Sequence, residues 1–266
     1  MSNLVSSQSN NVVDNNVDIV ICADRSGSMI DQGDAPSEGM YGFLKNQQQL
    51  ANGKTKVNII TFDNTIENPW STNNLKHCEL PSLNDIKRWM TPRNTTKLID
   101  TSIKCLVDQE QRSKNMKRIF VCITDGFDNE SVAKTEDLHE KIDKARNDGV
   151  TCIFLAANQD AITSGEQFGF DPNFCLSTSS TQPSSIRRAY RSCSNIISRT
   201  LTQNDCSGFT QLERDYSAPP SIQNSIHDFD FDFDFDFDFC DNSGKELYES
   251  QSGDEPKKPL DFPCKY

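Results

Sequence analysis

Short apolar runs alternate with longer amphipathic segments along the first three quarters of this chain, and this alternation constrains its fold most strongly. The apolar runs have the length of strands, and they fall at 18–23, 57–62, 65–70, 118–124, 151–156 and 174–177. The segments between them have helical periodicity and fall at 37–51, 83–90, 97–111, 135–147, 159–168 and 182–200. Strands separated by helices predict right-handed crossovers and a parallel sheet.

Two details refine this prediction. The runs 57–62 and 65–70 are separated only by Asp63 and Asn64, which predicts a hairpin and one antiparallel edge strand. The runs "RIFVCIT" and "TCIFLAA" are apolar throughout, as in strands that are covered on both faces. The sequence therefore predicts an α/β fold with a doubly wound, mostly parallel sheet of six strands and helices on both faces.

The segments outside this pattern are polar and aperiodic. We expect residues 1–16 to be a disordered N-terminal segment, residues 17–200 to form one domain, and residues 201–266 to be a largely disordered acidic tail. The tail holds 15 of the 39 acidic residues and only 5 of the 27 basic residues, so it carries most of the formal net charge of -12.

A repeat of six Asp-Phe pairs, from Asp228 to Phe239, interrupts this tail. Strict alternation is formally a strand pattern, yet one face would carry a row of carboxylates that repel one another. A solvated low-complexity segment is one interpretation. The alternative is a segment whose phenylalanines and carboxylates engage a partner, or compete for a cation from within the chain.

Charge and apolar content restrict the classes of partner and the compartment. An acidic chain without a basic stripe is a poor candidate for binding nucleic acid or an anionic membrane. No apolar run approaches the length of a membrane span, and "MSNLVSSQSNNVVDNN" has neither the basic nor the apolar region of a signal peptide. These patterns predict a protein that is not secreted.

The cysteines point to the same compartment. None of the ten forms a C-x-x-C pair, and Cys22, Cys122 and Cys152 lie inside apolar runs, as small buried hydrophobic residues do. Two glycosylation sequons, at Asn94 and Asn129, lie beside the candidate site described next, where a glycan would obstruct it. We therefore expect an intracellular, cytoplasmic protein in a reducing environment.

A cluster of oxygen-bearing side chains follows the first apolar run, in "VDIVICADRSGSM". Asp24 ends the run, and Ser26 and Ser28 follow at alternate positions. A carboxylate at a strand end with two hydroxyls close behind it can wrap a hard cation, and Mg²⁺ accepts hydroxyls and waters among its six oxygen ligands. One loop cannot supply all six, so other segments must contribute.

The other candidate ligands follow from the topology of a doubly wound sheet, in which sites form outside the carboxyl ends of the strands. Asp125 comes directly after the run 118–124, and Thr95 and Thr96 open the helical segment that precedes this run. The residues alone leave both threonines as candidates.

These motifs resemble those of von Willebrand factor A domains. "DRSGSM" is similar to the D-x-S-x-S element that opens the metal-ion-dependent adhesion site of that family. "TTKLIDTSI" resembles the threonine loop, with Thr96 at the ligand position, and "ITDGFDNES" resembles the last element, with Asp125 as second carboxylate. "CIFLAANQDA" resembles a stand-alone bacterial and phage-type subgroup. The resemblance covers residues 17–200 and implies the strand order 3-2-1-4-5-6.

The resemblance also implies a function. It predicts that Asp24, Ser26, Ser28, Thr96 and Asp125 hold Mg²⁺, with Mn²⁺ or Ca²⁺ as alternatives. The cation would keep an open position that an Asp or Glu of a partner protein fills, so the domain would bind protein without turning over a substrate. One departure from the family is that Asn94 and Thr95 stand where a glycine usually precedes the threonine.

Two other classes of function remain open. A metal-dependent phosphatase could use Asp24 as nucleophile, but such enzymes of the haloacid-dehalogenase type carry a second acid two residues later, where this chain has Ser26. No histidine lies in the candidate loops to serve as general base. A structural protein with a vestigial metal site is the third interpretation.

Overall fold

The computed structural model describes residues 16–51, 53–126, 128–157, 161–179, 182–202 and 207–217. These residues build one six-stranded sheet in the order β3-β2-β1-β4-β5-β6. The strands are β1 (Val17–Asp24), β2 (Thr55–Phe62), β3 (Ile66–Thr72), β4 (Lys117–Thr124), β5 (Val150–Ala157) and β6 (Cys175–Thr178). All neighbours pair in parallel except β2 and β3, which are antiparallel. The predicted fold class and strand order are confirmed.

Seven α-helices cover the two faces of the sheet within the described ranges. They are α1 (Ala35–Leu50), α2 (Leu83–Trp89), α3 (Leu98–Arg112), α4 (Thr135–Asn147), α5 (Ala161–Gln167), α6 (Pro183–Thr202) and α7 (Gln211–Ser217). Side chains of α1, α2 and α6 pack in one core, and side chains of α3 and α4 pack in the other.

The central strand β1 shows why the sheet is covered on both faces. Its successive side chains point to opposite sides, so Ile19 and Ile21 enter one core while Val20 and Cys22 enter the other. Every residue of β1 is buried. This arrangement places the carboxyl end of β1 beside that of β4, in the middle of the sheet.

The two outer strands of the sheet differ. β3 is half exposed and carries Glu67 and Pro69. β6 has four residues, and the guanidinium group of Arg214 in α7 donates to the carbonyl oxygen of Cys175 at 2.7 Å.

Helical structure is described beyond residue 200, where the sequence led us to expect a tail. Glu213 of α7 is buried and pairs with Arg199 of α6 at 3.0 Å. The hydroxyl of Ser185 donates to the carbonyl oxygen of Ser217 at 2.5 Å. Polar contacts of this kind leave no apolar periodicity in the sequence, so the pattern gave no signal for α7.

All described residues belong to one compact unit, which lies within residues 1–225. Residues 1–15 and the Asp-Phe repeat lie outside the described residues, and the expectations for both remain predictions.

Candidate metal centre

The candidate site begins where β1 and β4 end side by side. The carboxylate of Asp24 is fully buried. Its Oδ1 accepts a hydrogen bond from the backbone N–H of Ser26 at 2.6 Å, and its Oδ2 accepts one from the hydroxyl of Thr124 at 2.6 Å. Both strands therefore fix the orientation of this carboxylate.

A chain of hydroxyl groups runs from the loop after β1 to the loop after β4. The Oγ atoms of Ser26 and Ser28 lie 3.0 Å apart, and the hydroxyl of Ser28 donates to Asp125 Oδ1 at 2.6 Å. The other carboxylate oxygen of Asp125, Oδ2, is buried without a hydrogen-bond partner among the described residues. A buried carboxylate oxygen without a partner is costly, and a bound cation would relieve that cost.

Thr96 lies on the far side of the same crevice. A Cβ atom built on Gly126 would lie 3.4 Å from Ser28 Oγ and 3.9 Å from Thr96 Oγ1, so both hydroxyls face this glycine. Thr96 is buried, and its N–H donates to Asn129 Oδ1 at 2.8 Å. Thr95 is exposed instead, and its hydroxyl donates to Glu130 at 3.0 Å. The geometry brings Thr96 to the site and turns Thr95 away.

The loops that carry the two groups of hydroxyls are joined through their backbones. The N–H of Arg93 donates to the carbonyl of Arg25 at 2.9 Å, and the N–H of Gly27 donates to the carbonyl of Asn94 at 3.0 Å. Asn94 adopts a φ of 57°, a left-handed conformation that asparagine tolerates better than most residues. This explains how the chain dispenses with the glycine of the family.

A charged network lies beneath these two loops. Asp63, in the turn between β2 and β3, is fully buried and accepts from Arg93 Nε at 2.5 Å. The guanidinium group of Arg25 lies 3.5 Å from Asp63 and 2.6 Å from Glu67. The backbone carbonyl of Asp63 also accepts from the N–H of Lys97 at 2.9 Å. Asp63 thus contacts both loops.

Burial shifts the pKa values of the two carboxyl groups at the site. Burial raises the pKa of Asp24 to about 6, although the hydrogen bonds from Thr124 and Ser26 oppose this rise. Burial also raises the pKa of Asp125, and the negative charge of Asp31 adds to the effect. Burial therefore disfavours the charged form of each carboxyl group, and a divalent cation would stabilise it.

The structure brings all five predicted side chains, Asp24, Ser26, Ser28, Thr96 and Asp125, to one crevice. The donor set is mostly hydroxyl, and no group of three or more His, Cys, Asp or Glu side chains suited to a metal occurs among the described residues. Such a set suits a hard cation that retains water.

Sequence reasoning missed three residues around the crevice. Thr124 orients Asp24, Asp63 ties the loops together, and Asp31 acts on Asp125. The sequence pattern placed Thr124 in a strand and Asp63 in a turn. It gave no sign of their roles at the site, because these roles depend on contacts between distant segments. Asp31 stands three residues after Ser28, just beyond the motif, and its charge was a signal that the sequence offered.

Two further polar segments follow β4 and β5. Asp128, in the loop after β4, accepts from the N–H of Ile99 in the first turn of α3 at 3.1 Å. It therefore holds α3 in place. Asn158 and Asp160 lie outside the described residues.

Solved structures share this fold. The von Willebrand factor domain of the type V pili tip protein Mfa5 from Porphyromonas gingivalis matches with a TM-score of 0.56 and 12% identity, covering 70% of this chain and 96% of that one. The pilus adhesin SpaC from Lactobacillus rhamnosus GG matches with a TM-score of 0.55 and 12% identity, covering 70% of this chain but only 31% of SpaC. At such identities the similarity establishes the fold alone.

A more remote similarity concerns a metal. Proximal thread matrix protein 1 from the mussel byssus matches with a TM-score of 0.44 and 19% identity. That structure was solved with zinc in its metal-ion-dependent adhesion site (MIDAS) motif. The match covers 76% of this chain and 48% of that one. This similarity is too low to assign a metal to the present site. No curated protein matches the chain significantly.

The pilus proteins contradict the prediction of an intracellular, non-secreted protein, because an adhesin and a pilus tip protein share its fold. The cysteine argument failed for a physical reason. Cys22, Cys152 and Cys175 are buried free thiols, and burial protects a thiol from oxidation on either side of a membrane. Within the described ranges, no helix is long and apolar enough to cross a membrane.

The sequence itself gives the direct assignment. Residues 18–190 match the von Willebrand factor type A domain, and this range contains all strands of the sheet except the first residue of β1, together with all five residues of the candidate site. The subgroup within the family stays a prediction. Together with the strand order and the hydroxyl-rich crevice, the match shows that the chain belongs to the von Willebrand factor type A domain family.

Proposed function

We propose that this chain is a cation-dependent protein-binding module. Asp24, Ser26, Ser28, Thr96 and Asp125 would hold Mg²⁺, either directly or through water, and an Asp or Glu of a partner protein would complete the coordination. The pilus adhesin and pilus tip protein that share the fold support a role in protein binding.

The observation that carries the proposal is the buried Oδ2 of Asp125, which lies beside two hydroxyls and has no hydrogen-bond partner among the described residues. Buried carboxylate oxygens normally have a hydrogen-bond partner. The neighbouring hydroxyls of Ser28 and Thr96 add oxygen ligands without adding negative charge. Mg²⁺ prefers oxygen ligands in an octahedron, and this crevice offers several of them on one side.

Charge balance explains why a partner carboxylate would be attracted. Two carboxylates, Asp24 and Asp125, offset the two positive charges of the cation only in part, because Asp24 already accepts hydrogen bonds at both oxygens. The cation therefore remains electrophilic on its solvent side. A third carboxylate from a partner supplies the remaining charge.

The rival class, a phosphatase with Asp24 as nucleophile, fits the geometry less well. Asp24 is fully buried, and both its oxygens are engaged. A nucleophile must reach the phosphorus atom of its substrate, and this carboxylate is held away from solvent. Turnover of aryl phosphates with Mg²⁺ that disappears in Asp24→Asn would overturn the proposal.

The test of the metal site is thermal unfolding with Mg²⁺ and with chelator. A ligand that binds only the folded state stabilises it by about 2.7 kcal/mol at a hundred times its dissociation constant. We expect the wild type to gain stability with Mg²⁺ and Asp125→Ala to gain none, while both fold alike in chelator. Asp108→Ala, which removes an exposed carboxylate of α3 paired with Lys104, should respond as the wild type does.

The test of partner binding is affinity capture in Mg²⁺ and in chelator, with Asp24→Ala as control. Proteins retained only by the wild type in Mg²⁺ would support the proposal. Unchanged melting temperatures on adding Mg²⁺, Mn²⁺ or Ca²⁺ would instead favour a structural protein with a vestigial site.

A further inference from the structure

Two aliphatic side chains stand exposed beside the candidate metal centre. Ile30 is 69% exposed and Val132 is 89% exposed. Ile30 lies in the 3-10 helix Gly27–Gln32, which forms the end of the first metal loop (residues 24–32), and Val132 lies in the loop between β4 and α4. We call these two residues the aliphatic rim.

The hydrogen bonds of their neighbours place both rim residues close to the crevice. Ile30 follows Ser28, whose hydroxyl contacts Asp125, by two positions. The N–H of Val132 donates to Asp100 Oδ2 at 3.1 Å, in the first turn of α3. This turn begins two residues after Thr96, so the rim flanks the site on the side of the first metal loop and on the side of the threonine loop.

The backbone holds the rim residues outward. Met29, next to Ile30, is buried with 2% exposure. Ala133, next to Val132, donates its N–H to Asp100 Oδ1 at 3.0 Å. A partner bound at the crevice would remove these aliphatic groups from water if its own apolar side chains covered them, and this removal is favourable.

Charges around the crevice restrict the partner further. Asp31 and Glu130 are exposed carboxylates on the same end of the sheet, and the charge of Asp31 reaches Asp125. A partner with several adjacent acidic residues would be repelled by these carboxylates. A partner with one carboxylate between apolar side chains would avoid this repulsion and cover the rim.

We propose that the partner presents a single Asp or Glu flanked on both sides by apolar residues, which pack against Ile30 and Val132 while the carboxylate meets the cation. This inference rests on the proposed function, because the carboxylate needs the metal. It adds the chemical class of the segment that the site selects.

The experiment measures the affinity of three synthetic peptides for the full chain in Mg²⁺, by calorimetry or fluorescence anisotropy. Their central tripeptides are Leu-Asp-Leu, Ser-Asp-Ser and Leu-Asn-Leu, in the same Gly-Ser frame. We expect Leu-Asp-Leu to bind about tenfold more tightly than Ser-Asp-Ser, because the rim removes apolar surface from water. Leu-Asn-Leu should bind no better in Mg²⁺ than in chelator.

Variants of the rim identify where the preference arises. The double variant Ile30→Ser/Val132→Ser should bind Leu-Asp-Leu and Ser-Asp-Ser equally, with unchanged affinity for Mg²⁺. The matched control is Leu50→Ser, which removes another exposed aliphatic side chain, 45% exposed at the end of α1. This control should keep the tenfold preference.

The outcomes separate the two proposals. If no peptide binds in a Mg²⁺-dependent manner, the proposed function fails. If Leu-Asp-Leu and Ser-Asp-Ser bind the wild type equally well in Mg²⁺, the function stands and the inference about the rim is wrong. A preference that survives in the double variant would also overturn the inference.

Discussion

At the scale of single residues, Asp63 is the side chain on which the loop after β1 and the threonine loop converge. It lies outside the crevice, yet it accepts from Arg93 Nε and from the amide of Asn94, and it lies near the guanidinium group of Arg25. Burial alone would raise the pKa of Asp63, but hydrogen bonds from Thr65 and Arg93 lower it to about 2. Its carboxylate is therefore charged at any physiological pH.

The first prediction is that Asp63→Asn lowers the affinity for Mg²⁺ about tenfold, as loss of a residue that orients metal ligands commonly does. Calorimetric titration with Mg²⁺ measures this. A double-mutant cycle with Thr96→Ala should show strong coupling, since Asp63 acts by positioning the threonine loop. Additive losses of Mg²⁺ affinity would contradict the positioning role.

The matched control for this prediction is Glu67→Gln. Glu67 pairs with the same two arginines but is 47% exposed, and exposed ion pairs contribute little. We expect an affinity for Mg²⁺ close to that of the wild type.

The carboxyl group of Asp24 should make the stability of the fold depend on pH in the opposite sense from the carboxyl group of Asp63. Its pKa is raised by burial to about 6, so the folded state binds a proton more tightly than the unfolded state. Without metal, this group contributes most stability below the unfolded pKa, and the contribution is lost as the pH rises through about 6. The low pKa of Asp63 instead contributes stability above the unfolded pKa, and that contribution is lost as the pH falls through about 2.

The second prediction follows from the raised pKa of Asp24. In chelator, the stability of the wild type relative to Asp24→Asn should increase by about 2 kcal/mol as the pH falls from about 7 to about 4. Urea unfolding of both proteins across this range measures the difference. Parallel pH profiles for the two proteins would show that the carboxyl group of Asp24 has an ordinary pKa in the fold.

At the scale of elements, the sequence predicted each strand and most helices within two residues. β4 was expected at 118–124 and runs over Lys117–Thr124, and α4 was expected at 135–147 and runs over Thr135–Asn147. Apolar periodicity reports burial directly, which is why these elements were predictable.

The elements that were missed are held by other interactions. The 3-10 helix Gly27–Gln32 forms in the connection between β1 and α1. The helix α7 depends on the ion pair between Glu213 and Arg199. The candidate ligands could be predicted from their motifs. The network around Asp63 could not, because it joins segments that are 38 and 30 residues apart in the chain.

A close approach between α1 and α6 gives the third prediction. A Cβ atom on Gly39 in α1 would lie 2.4 Å from Cδ2 of Tyr190 in α6, so these helices pack across a glycine. Gly39→Ala should lower the free energy of unfolding by about 2 kcal/mol through overpacking, even though alanine favours the helix. Lys45→Ala, on the same helix, should change the stability little.

Denaturant unfolding measures both variants. Equal stability of Gly39→Ala and the wild type would mean that Tyr190 moves aside without cost. The variant Tyr190→Phe offers an independent check, because the hydroxyl of Tyr190 is buried without a hydrogen-bond partner among the described residues. Its removal should leave stability unchanged or raise it.

At the scale of the whole molecule, the two cores shelter most of the thiols in the described part of the chain. Burial raises the pKa of Cys152 and Cys175 to about 12, far above any physiological pH. Burial raises the pKa of Cys22 as well. Thiolates react and thiols do not, so these cysteines carry no information about the compartment.

The fourth prediction is that these three cysteines resist alkylation by iodoacetamide in the native protein at pH of about 8 and react fully after unfolding. Mass spectrometry of the digested protein measures the modification at each site. Cys78, which is only half buried, serves as the internal control and should react first. Rapid native labelling of Cys152 would show that the sheet opens far more readily than its packing suggests.

The outer strands have a consequence for how copies of this protein can crowd together. Proline has no N–H to donate, so Pro69 interrupts the free margin of β3, and Glu67 adds a charge there. At the opposite margin, β6 is short and Arg214 already bonds one of its carbonyl groups. A strand of another chain would find few free backbone groups with which to pair at either edge of the sheet. The edges of the described sheet therefore disfavour backbone pairing between copies, so contacts between copies of this domain would rely on side chains.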